Sequence, residues 1–318
     1  MRQKKNRRDV SGILLLNKKE GMSSSQALVI TRAIMQAQKA GHTGALDPEA
    51  CGLLPICFGE AAKFSCFFLD GNKKYIATGR LGICTTTCDR EGEIVETRDI
   101  GDAFNKLETT LKSFIGNIEQ VPPIYSAIKV DGKPLYKYAR QGVEVEVPKR
   151  IVTIFDIKLL DTTEDSFTIE VTCSKGTYIR TLVSDIGRSL GCGAYVSYLN
   201  RTAVEGLPEG PYYDIYTLQK IKDSRVNTSN FDELDKLLLP LELAVQSLPI
   251  VSLPYAMAEP LTHGVRQGPD FSQCDFDKDL LKNDDANVQI QCNGRFLGVG
   301  YFKKGILVPR RMMSNLDF

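Results

Sequence analysis

The stretch Gly41-His42-Thr43-Gly44-Ala45-Leu46-Asp47-Pro48 decides how this chain is read. Gly44 and Pro48 break regular structure from both sides, so the segment is expected to be a fixed, non-repetitive loop carrying one carboxylate. Taken alone the loop has two readings. Asp47 suits the cap of a helix that starts at Pro48, because aspartate is a favoured cap and proline a favoured first residue. It also suits, as the less ordinary reading, a reactive carboxylate held in an irregular turn. His42 is either an ordinary loop histidine or part of that site. The chain has two histidines, His42 and His263, so a metal centre built from several histidines is not expected.

Working outward, Gly12 to Asn17 reads as a buried strand, a short Ile/Leu run bounded by Gly and Asn. Ser23 to Ser25 offers hydroxyl caps for a helix from about Gln26 to Ala40, with Gly41 as its stop. A second helix is expected from about Gly59 to Leu69. Further on, Tyr75 to Leu81, Ile151 to Leu160 and Ser166 to Cys173 read as strands. Asp102 to Phe114 and Gly176 to Leu190 read as helices, the latter closed by Gly191. Val121 to Gly142, with paired prolines and many polar residues, reads as an excursion from the core. Lys222 to Asn230 reads as a surface connection. After Leu248, short apolar pieces alternate with glycines, as in Arg295 to Gly300 and Gly305 to Pro309, the texture of a small, mostly β domain. Strands alternating with helices before it indicate a mixed α/β fold.

Composition sets the outer bounds. At 318 residues the chain is long enough for two domains, and 42% hydrophobic with 25% charged residues is the balance of a soluble globular protein. No run approaches the ~18 apolar residues that span a bilayer, and Ile13 to Leu16 is too short for the apolar part of a signal peptide. The expectation is a cytoplasmic protein. Nine cysteines, an odd number, show no zinc-site spacing; Cys84 and Cys88 are the one short pair and lack a downstream partner pair, so the cysteines read as small hydrophobes. Net charge is +1, yet Arg2, Lys4, Lys5, Arg7 and Arg8 crowd the first eight residues. Such an arm is either a solvated tail or a phosphate contact.

Several blocks, in order, carry a resemblance. The Asp47 loop resembles the catalytic-aspartate motif of the TruB family of pseudouridine synthases. Ile13 to Ser24 (ILLLNKKEGMSS) resembles that family's first motif, Lys73-Lys74-Tyr75 its basic-and-tyrosine strand, and Val121 to Gly142 its RNA-clamping insertion. Cys173 to Leu182 (CSKGTYIRTL) and Tyr198 to Ala203 (YLNRTA) match two more active-site blocks, and Gly294 to Met312 is similar to the second half of a PUA domain. The chain departs from the family at Lys19, where proline is usual, and at Glu49 and Cys51, where an apolar residue and threonine are common. Leu253 to Gln289 is only weakly PUA-like.

The resemblance implies a catalytic domain over 1–245, a mixed-sheet α/β (α+β) pseudouridine synthase fold with the insertion at about 121–150, and a PUA-like RNA-binding domain over 246–318. It implies conversion of uridine to pseudouridine at position 55 in the T loop of tRNA. Asp47 would be the catalytic group, Arg180 its charge partner, Tyr75 the ring that stacks on the uracil, and His42 the filler of the space left in the RNA fold. Tyr178 and Leu199 would line the pocket. By residue chemistry alone, the two tyrosines more ordinarily read as core or interface aromatics with bonded hydroxyls. The isomerisation is redox-neutral, so no cofactor or metal is expected. The expected partner is the tRNA T stem-loop, bound by a monomer with no membrane contact and no obligate protein partner. The stretch Val121 to Arg150 suits folded RNA: Lys129, Lys133, Lys137, Arg140, Lys149 and Arg150 for phosphates, Tyr125, Tyr136 and Tyr138 for unstacked bases. Three other functions compete. A guide-RNA-dependent relative would carry longer basic extensions. A non-catalytic RNA-binding or RNA-folding protein is disfavoured by the presence of Asp47, Tyr75 and Arg180. A hydrolase using His42 and Asp47 lacks a nucleophile.

Overall fold

The computed structural model describes residues 7–314, apart from Ala127, Arg140, Glu144, Thr228, Pro269 and the side chain of Tyr136. Arg2, Lys4 and Lys5 of the basic arm, and Arg140 of the insertion, lie outside the described residues. The N-terminal part is built on an eight-stranded mixed sheet: β1 (Gly12–Lys18), β2 (Ala40–His42), β3 (Cys51–Phe58), β4 (Lys73–Leu81), β5 (Gly116–Gln120), β6 (Arg150–Thr162), β7 (Ser166–Cys173) and β8 (Ala194–Val204). The strands lie in the order β1-β3-β8-β4-β7-β6-β5, with β2 added beside β3. Three helices matter for the site: α1 (Ser24–Ile34), α2 (Ala103–Ser113) and α3 (Ile179–Leu190).

β1 is apolar at nearly every position because both faces of the sheet are covered there. Leu14 and Leu16 point into one core with Ile34, Leu54, Ile56, Phe58, Leu182 and Val183. Ile13 and Leu15 point into another with Leu53, Phe64, Phe68 and Val204. β3 is covered in the same way. One edge of β3 runs along β1 for its full length, Gly12 against Phe58 to Lys18 against Gly52. Its other edge is divided. β2 takes the end of the strand, His42 against Ile56, and β8 takes the start in parallel, Asn200 against Cys51 and Arg201 against Gly52. The Asp47 loop leaves the sheet where β3 changes neighbours.

The first helix is shorter than its periodicity predicts. α1 begins with a full capping box between Ser23 and Gln26 but ends at Ile34. Gln36, at φ 52°, takes the left-handed place expected of Gly41, and Ala40 and Gly41 pair with β3 instead. The gain from completing that sheet edge outweighs helix propensity. α3 starts at Ile179 rather than Gly176 and stops at Gly191 as predicted. The Gly59 to Leu69 region is a 3-10 turn, Gly59–Phe64, running into the short helix Ser65–Asp70. Arg8 does not hang in a solvated arm. It forms a two-pronged ion pair with Asp235 at 2.8 and 2.7 Å and lies over the Phe231 ring at 3.8 Å. In the insertion, Tyr138 donates its hydroxyl to Val130 O at 3.2 Å and carries Lys133 over its ring, so it is engaged within the insertion itself. No helix of the described chain is long and apolar enough to cross a membrane.

The C-terminal sheet consists of β9 (Ile250–Ser252), β10 (Asn287–Cys292), β11 (Arg295–Lys303) and β12 (Ile306–Met312), hydrogen-bonded in that order over a core that includes Val251, Leu261, Ile290, Phe302 and Leu307. It does not pack on itself alone. Phe296 and Val299 enter the second core of the N-terminal part beside Leu15, Phe64, Leu241 and Val245, with Phe296 edge-on to Phe64 at 5.2 Å. The buried Gln289 side chain donates to Val245 O at 2.8 Å and Leu248 O at 3.2 Å. A boundary at 245/246 therefore cuts through shared hydrophobic contact. Phe296→Ala is expected to lower unfolding stability by about 3 kcal/mol, read by denaturant unfolding of the full chain. A loss under about 1 kcal/mol would mean the two cores hold independently.

Candidate active site

The Asp47 loop is defined by where its backbone groups bond. Thr43 N donates to Pro55 O at 3.1 Å. The Ser24 hydroxyl, at the start of α1, accepts from Leu46 N at 2.7 Å and donates to Leu46 O at 2.9 Å. Pro48 O accepts from Gly21 N at 3.0 Å and from the fully buried Lys18 Nζ at 3.1 Å. Lys18 also donates to Lys19 O and Met22 O, tying the first motif to the loop. Ala50 N closes a turn on Asp47 O at 3.1 Å, and the chain enters β3 at Cys51 with no helix after Pro48. The capping reading of Asp47 is therefore set aside. Its side chain stays 41% exposed.

Arg180 meets it from the first turn of α3. Its side chain is 6% exposed, and Nε lies 3.0 Å from Asp47 Oδ2, an ion-pair distance without the alignment of a hydrogen bond. Nη1 pairs with Asp89 Oδ2 at 2.8 Å and donates to Thr87 O at 3.2 Å; Nη2 donates to Tyr125 O at 3.1 Å. One guanidinium thus joins the Asp47 loop, the turn at 87–89 and the root of the insertion. A cation in the first turn of a helix is disfavoured by the helix dipole, and the two carboxylates offset that cost. Asp89 is buried and also accepts from Thr87 Oγ1 and Glu91 N. Sequence reasoning passed over Asp89, because a polar turn reads as a solvated one.

Asp47, Tyr75, Tyr178, Arg180 and Leu199 line one open cavity, together with Ala45, Leu46, Ala50, Thr177 and Ile179. Strand register explains the convergence. On β4 and β8, Ala77 faces Leu199 and Tyr75 faces Arg201, and residues two apart share a face. Tyr178 precedes α3 and is held by the buried Gln120, which accepts from Tyr178 N at 3.1 Å and donates to Tyr178 O at 3.3 Å. His42, the sixth predicted residue, ends β2 outside the cavity lining. Its buried Nδ1 has no hydrogen-bond partner among the described residues. The three departures from the family pattern are each engaged by a neighbouring side chain. Glu49 pairs with Arg90, which also holds Glu20 at 2.7 Å, and Cys51 Sγ lies 3.6 Å from Tyr198 Oη. Lys19 pairs with Asp214 at 3.0 Å.

The electrostatics set the protonation of the site. Burial pushes the Asp47 carboxyl above the ordinary aspartate range, Arg180 opposes the rise, Asp89 adds to it and Lys18 opposes it. Partial exposure moderates each of these effects. Burial also pushes the Tyr75 phenol up, against the pull of Arg201, and burial with Arg201 pushes the His42 imidazole down towards its neutral form. The site therefore offers a carboxylate next to a fixed cation, a protonated phenol and an apolar wall. Two substitutions should move the Asp47 titration in opposite directions, read by carboxyl-carbon NMR. Arg180→Met removes the opposing cation and raises the midpoint. Asp89→Asn removes a neighbouring anion and lowers it. Shifts of the same sign would contradict this charge arrangement.

Two family profiles match consecutive parts of the chain. TruB family pseudouridylate synthase (N terminal domain) covers residues 32–179, and tRNA pseudouridylate synthase B C-terminal domain covers 180–246. The chain is 43% identical over 314 residues to tRNA pseudouridine synthase B of Haemophilus influenzae (strain PittEE), covering 99% of both chains. It is 44% identical over 317 residues to tRNA pseudouridine synthase B of Actinobacillus pleuropneumoniae serotype 5b (strain L20), covering 98% of this chain and 99% of that one. Among solved structures, a Cbf5-Nop10-Gar1 complex matches with TM-score 0.69 at 23% identity, over 95% of this chain and 84% of that chain. An archaeal box H/ACA sRNP Nop10-Cbf5 complex matches with TM-score 0.69 at 20% identity, over 95% and 85%. These two likenesses are of fold. The near-full-length relatives and the two profiles establish that the chain belongs to the TruB family of pseudouridylate synthases.

Proposed function

We propose that this chain isomerises uridine to pseudouridine at position 55 in the T loop of tRNA, with Asp47 as the catalytic group. The observation that carries the reading is the single cavity in which the Asp47 carboxylate, 3.0 Å from Arg180, faces Tyr75, Tyr178 and Leu199. The names of the full-length relatives support tRNA as the substrate. In the reaction the glycosidic carbon–nitrogen bond breaks, the uracil turns, and a carbon–carbon bond forms to the same ribose carbon. The proton leaving the ring carbon is balanced by one gained at the freed nitrogen, so no atom or electron is exchanged overall. Asp47 acts at the sugar as nucleophile or base. Arg180 keeps it ionised when the extruded base excludes water. Extrusion costs a few kcal/mol, offset by Tyr75 stacking on the base and by the walls at Tyr178 and Leu199. His42, beside the loop, fills the place that the extruded base vacates.

The basic, tyrosine-bearing insertion at 121–150 clamps the T stem-loop, and the PUA-like domain over 246–318 adds contact to the RNA backbone. The protein works in the cytoplasm as a monomer without an obligate protein partner. Asp47→Asn keeps size and removes charge. On unmodified tRNA transcripts with pseudouridine mapped at nucleotide resolution, it is expected to give no product at position 55 while tRNA affinity stays within about threefold, or ~0.7 kcal/mol. Product at more than trace level from this variant, free of native enzyme, refutes the role of Asp47. Product at a different nucleotide from the parent protein refutes the site. Arg180→Lys should recover part of the activity that Arg180→Met loses, since an ammonium supplies the charge but not the planar fork.

A further inference from the structure

Arg201 on β8 is a second buried guanidinium, 2% exposed, and among the described residues no carboxylate forms an ion pair with it. A charge taken out of water without a counter-ion is costly unless hydrogen bonds hold it. Its hydrogen bonds go to two places. Nε donates to Leu53 O at 2.8 Å and Nη2 donates to Gly44 O at 3.1 Å. Gly44 and Leu53 flank Asp47 on either side, so one planar group clasps both ends of the loop that carries it. The strand backbones approach closely at Gly52, where a Cβ would stand 2.4 Å from Arg201 O, while Gly44, at φ +87°, lies in ordinary contact range of the guanidinium, its Cβ position 3.6 Å from Nη1. On the neighbouring strand the register partner of Arg201 is Tyr75. We propose that Arg201 is a positioning residue for the chemical step, fixing the Asp47 loop and the Tyr75 ring relative to each other through its two-carbonyl clasp. The pull it exerts on the Tyr75 phenol and the His42 imidazole is in keeping with that placement.

This inference rests on the reading of Asp47 and Tyr75 above. The test is Arg201→Lys in the full chain, compared with parent and Asp47→Asn on the same tRNA transcripts. An ammonium keeps the charge but cannot hold two carbonyls in one plane. The variant is expected to fold, to bind tRNA within threefold of parent, and to lose about a hundredfold in single-turnover rate at saturating tRNA, the effect of a misplaced reacting group. The tyrosine ring-carbon resonance of Tyr75, assigned through Tyr75→Phe, is expected to shift. Arg201→Gln, which keeps one donor arm and no charge, is the second variant if Lys does not fold. A rate within threefold of parent, or a rate loss explained wholly by weaker binding, overturns the inference. Failure of both variants to fold also overturns it, assigning Arg201 to stability alone. An active Asp47→Asn defeats the underlying reading of the site, whereas an inactive Asp47→Asn beside a fully active Arg201→Lys defeats the present inference only.

Discussion

A guanidinium buried in the first turn of a helix has to be neutralised where it lies, and the site is organised around that requirement at Arg180. The helix dipole opposes the charge, and burial removes the water that would screen it. Two carboxylates from separate segments, Asp47 and Asp89, and two carbonyls, Thr87 O and Tyr125 O, supply the compensation. The arrangement is asymmetric. Asp89 is buried and bonded on several sides, while Asp47 remains partly exposed and touches Arg180 through one edge. Removing one partner from a buried pair typically costs 3–5 kcal/mol, so the exposed member is held in place by the buried one. The carboxylate left facing the cavity is then the one free to act.

The loop around Asp47 shows how such placement is maintained without regular structure. Its carbonyls and amides are bonded by Lys18, Gly21 and Ser24, by Pro55 and by Arg201, which come from three other parts of the chain. Two of the strongest ties use cations on neutral carbonyls, Lys18 to Pro48 O and Arg201 to Gly44 O. A charged donor makes the stronger kind of hydrogen bond, and a buried one has little alternative to making it. Glu49, Glu20 and Arg90 add a rim on the solvent side. These exposed pairs contribute little stability individually; the turn that carries Asp89 is bonded instead through Arg180 and Thr87.

What could be read from the sequence follows from this. Asp47, Tyr75, Tyr178, Arg180 and Leu199 sit in blocks whose order and composition are distinctive, and all five line the cavity. Asp89 and Arg201 were passed over, although Arg201 lies within the quoted block YLNRTA. A lone arginine in a strand ordinarily points to water. The strand that carries it was itself hidden: a register shift between Val196 and Tyr198 breaks the period-two pattern, so buried positions fall at Ala194 and Val196 and then at Leu199 and Arg201. β3 was hidden for a different reason. It is buried on both faces and contains Pro55, which by itself argues against a central strand. Its proline is tolerated where the strand changes partners, with Pro55 O still accepting from Thr43 N.

The divided edge of β3 links fold to chemistry. A strand paired along both edges for its full length would leave no place for an irregular loop to leave and rejoin the sheet. Here β2 occupies one half of the edge and β8 the other, and between them the chain leaves after His42 and returns at Cys51. The same gap brings Arg201 beside Gly52 and under Gly44, and it brings Leu199 and Tyr75 onto the face that the loop overhangs. Ending α1 at Ile34, six residues before the expected Ala40, is the local cost, since the chain that follows builds β2. The parallel pairing of β3 with β8, two residue pairs long, is therefore the feature that allows a carboxylate, a guanidinium and an aromatic ring from distant parts of the sequence to meet at one opening.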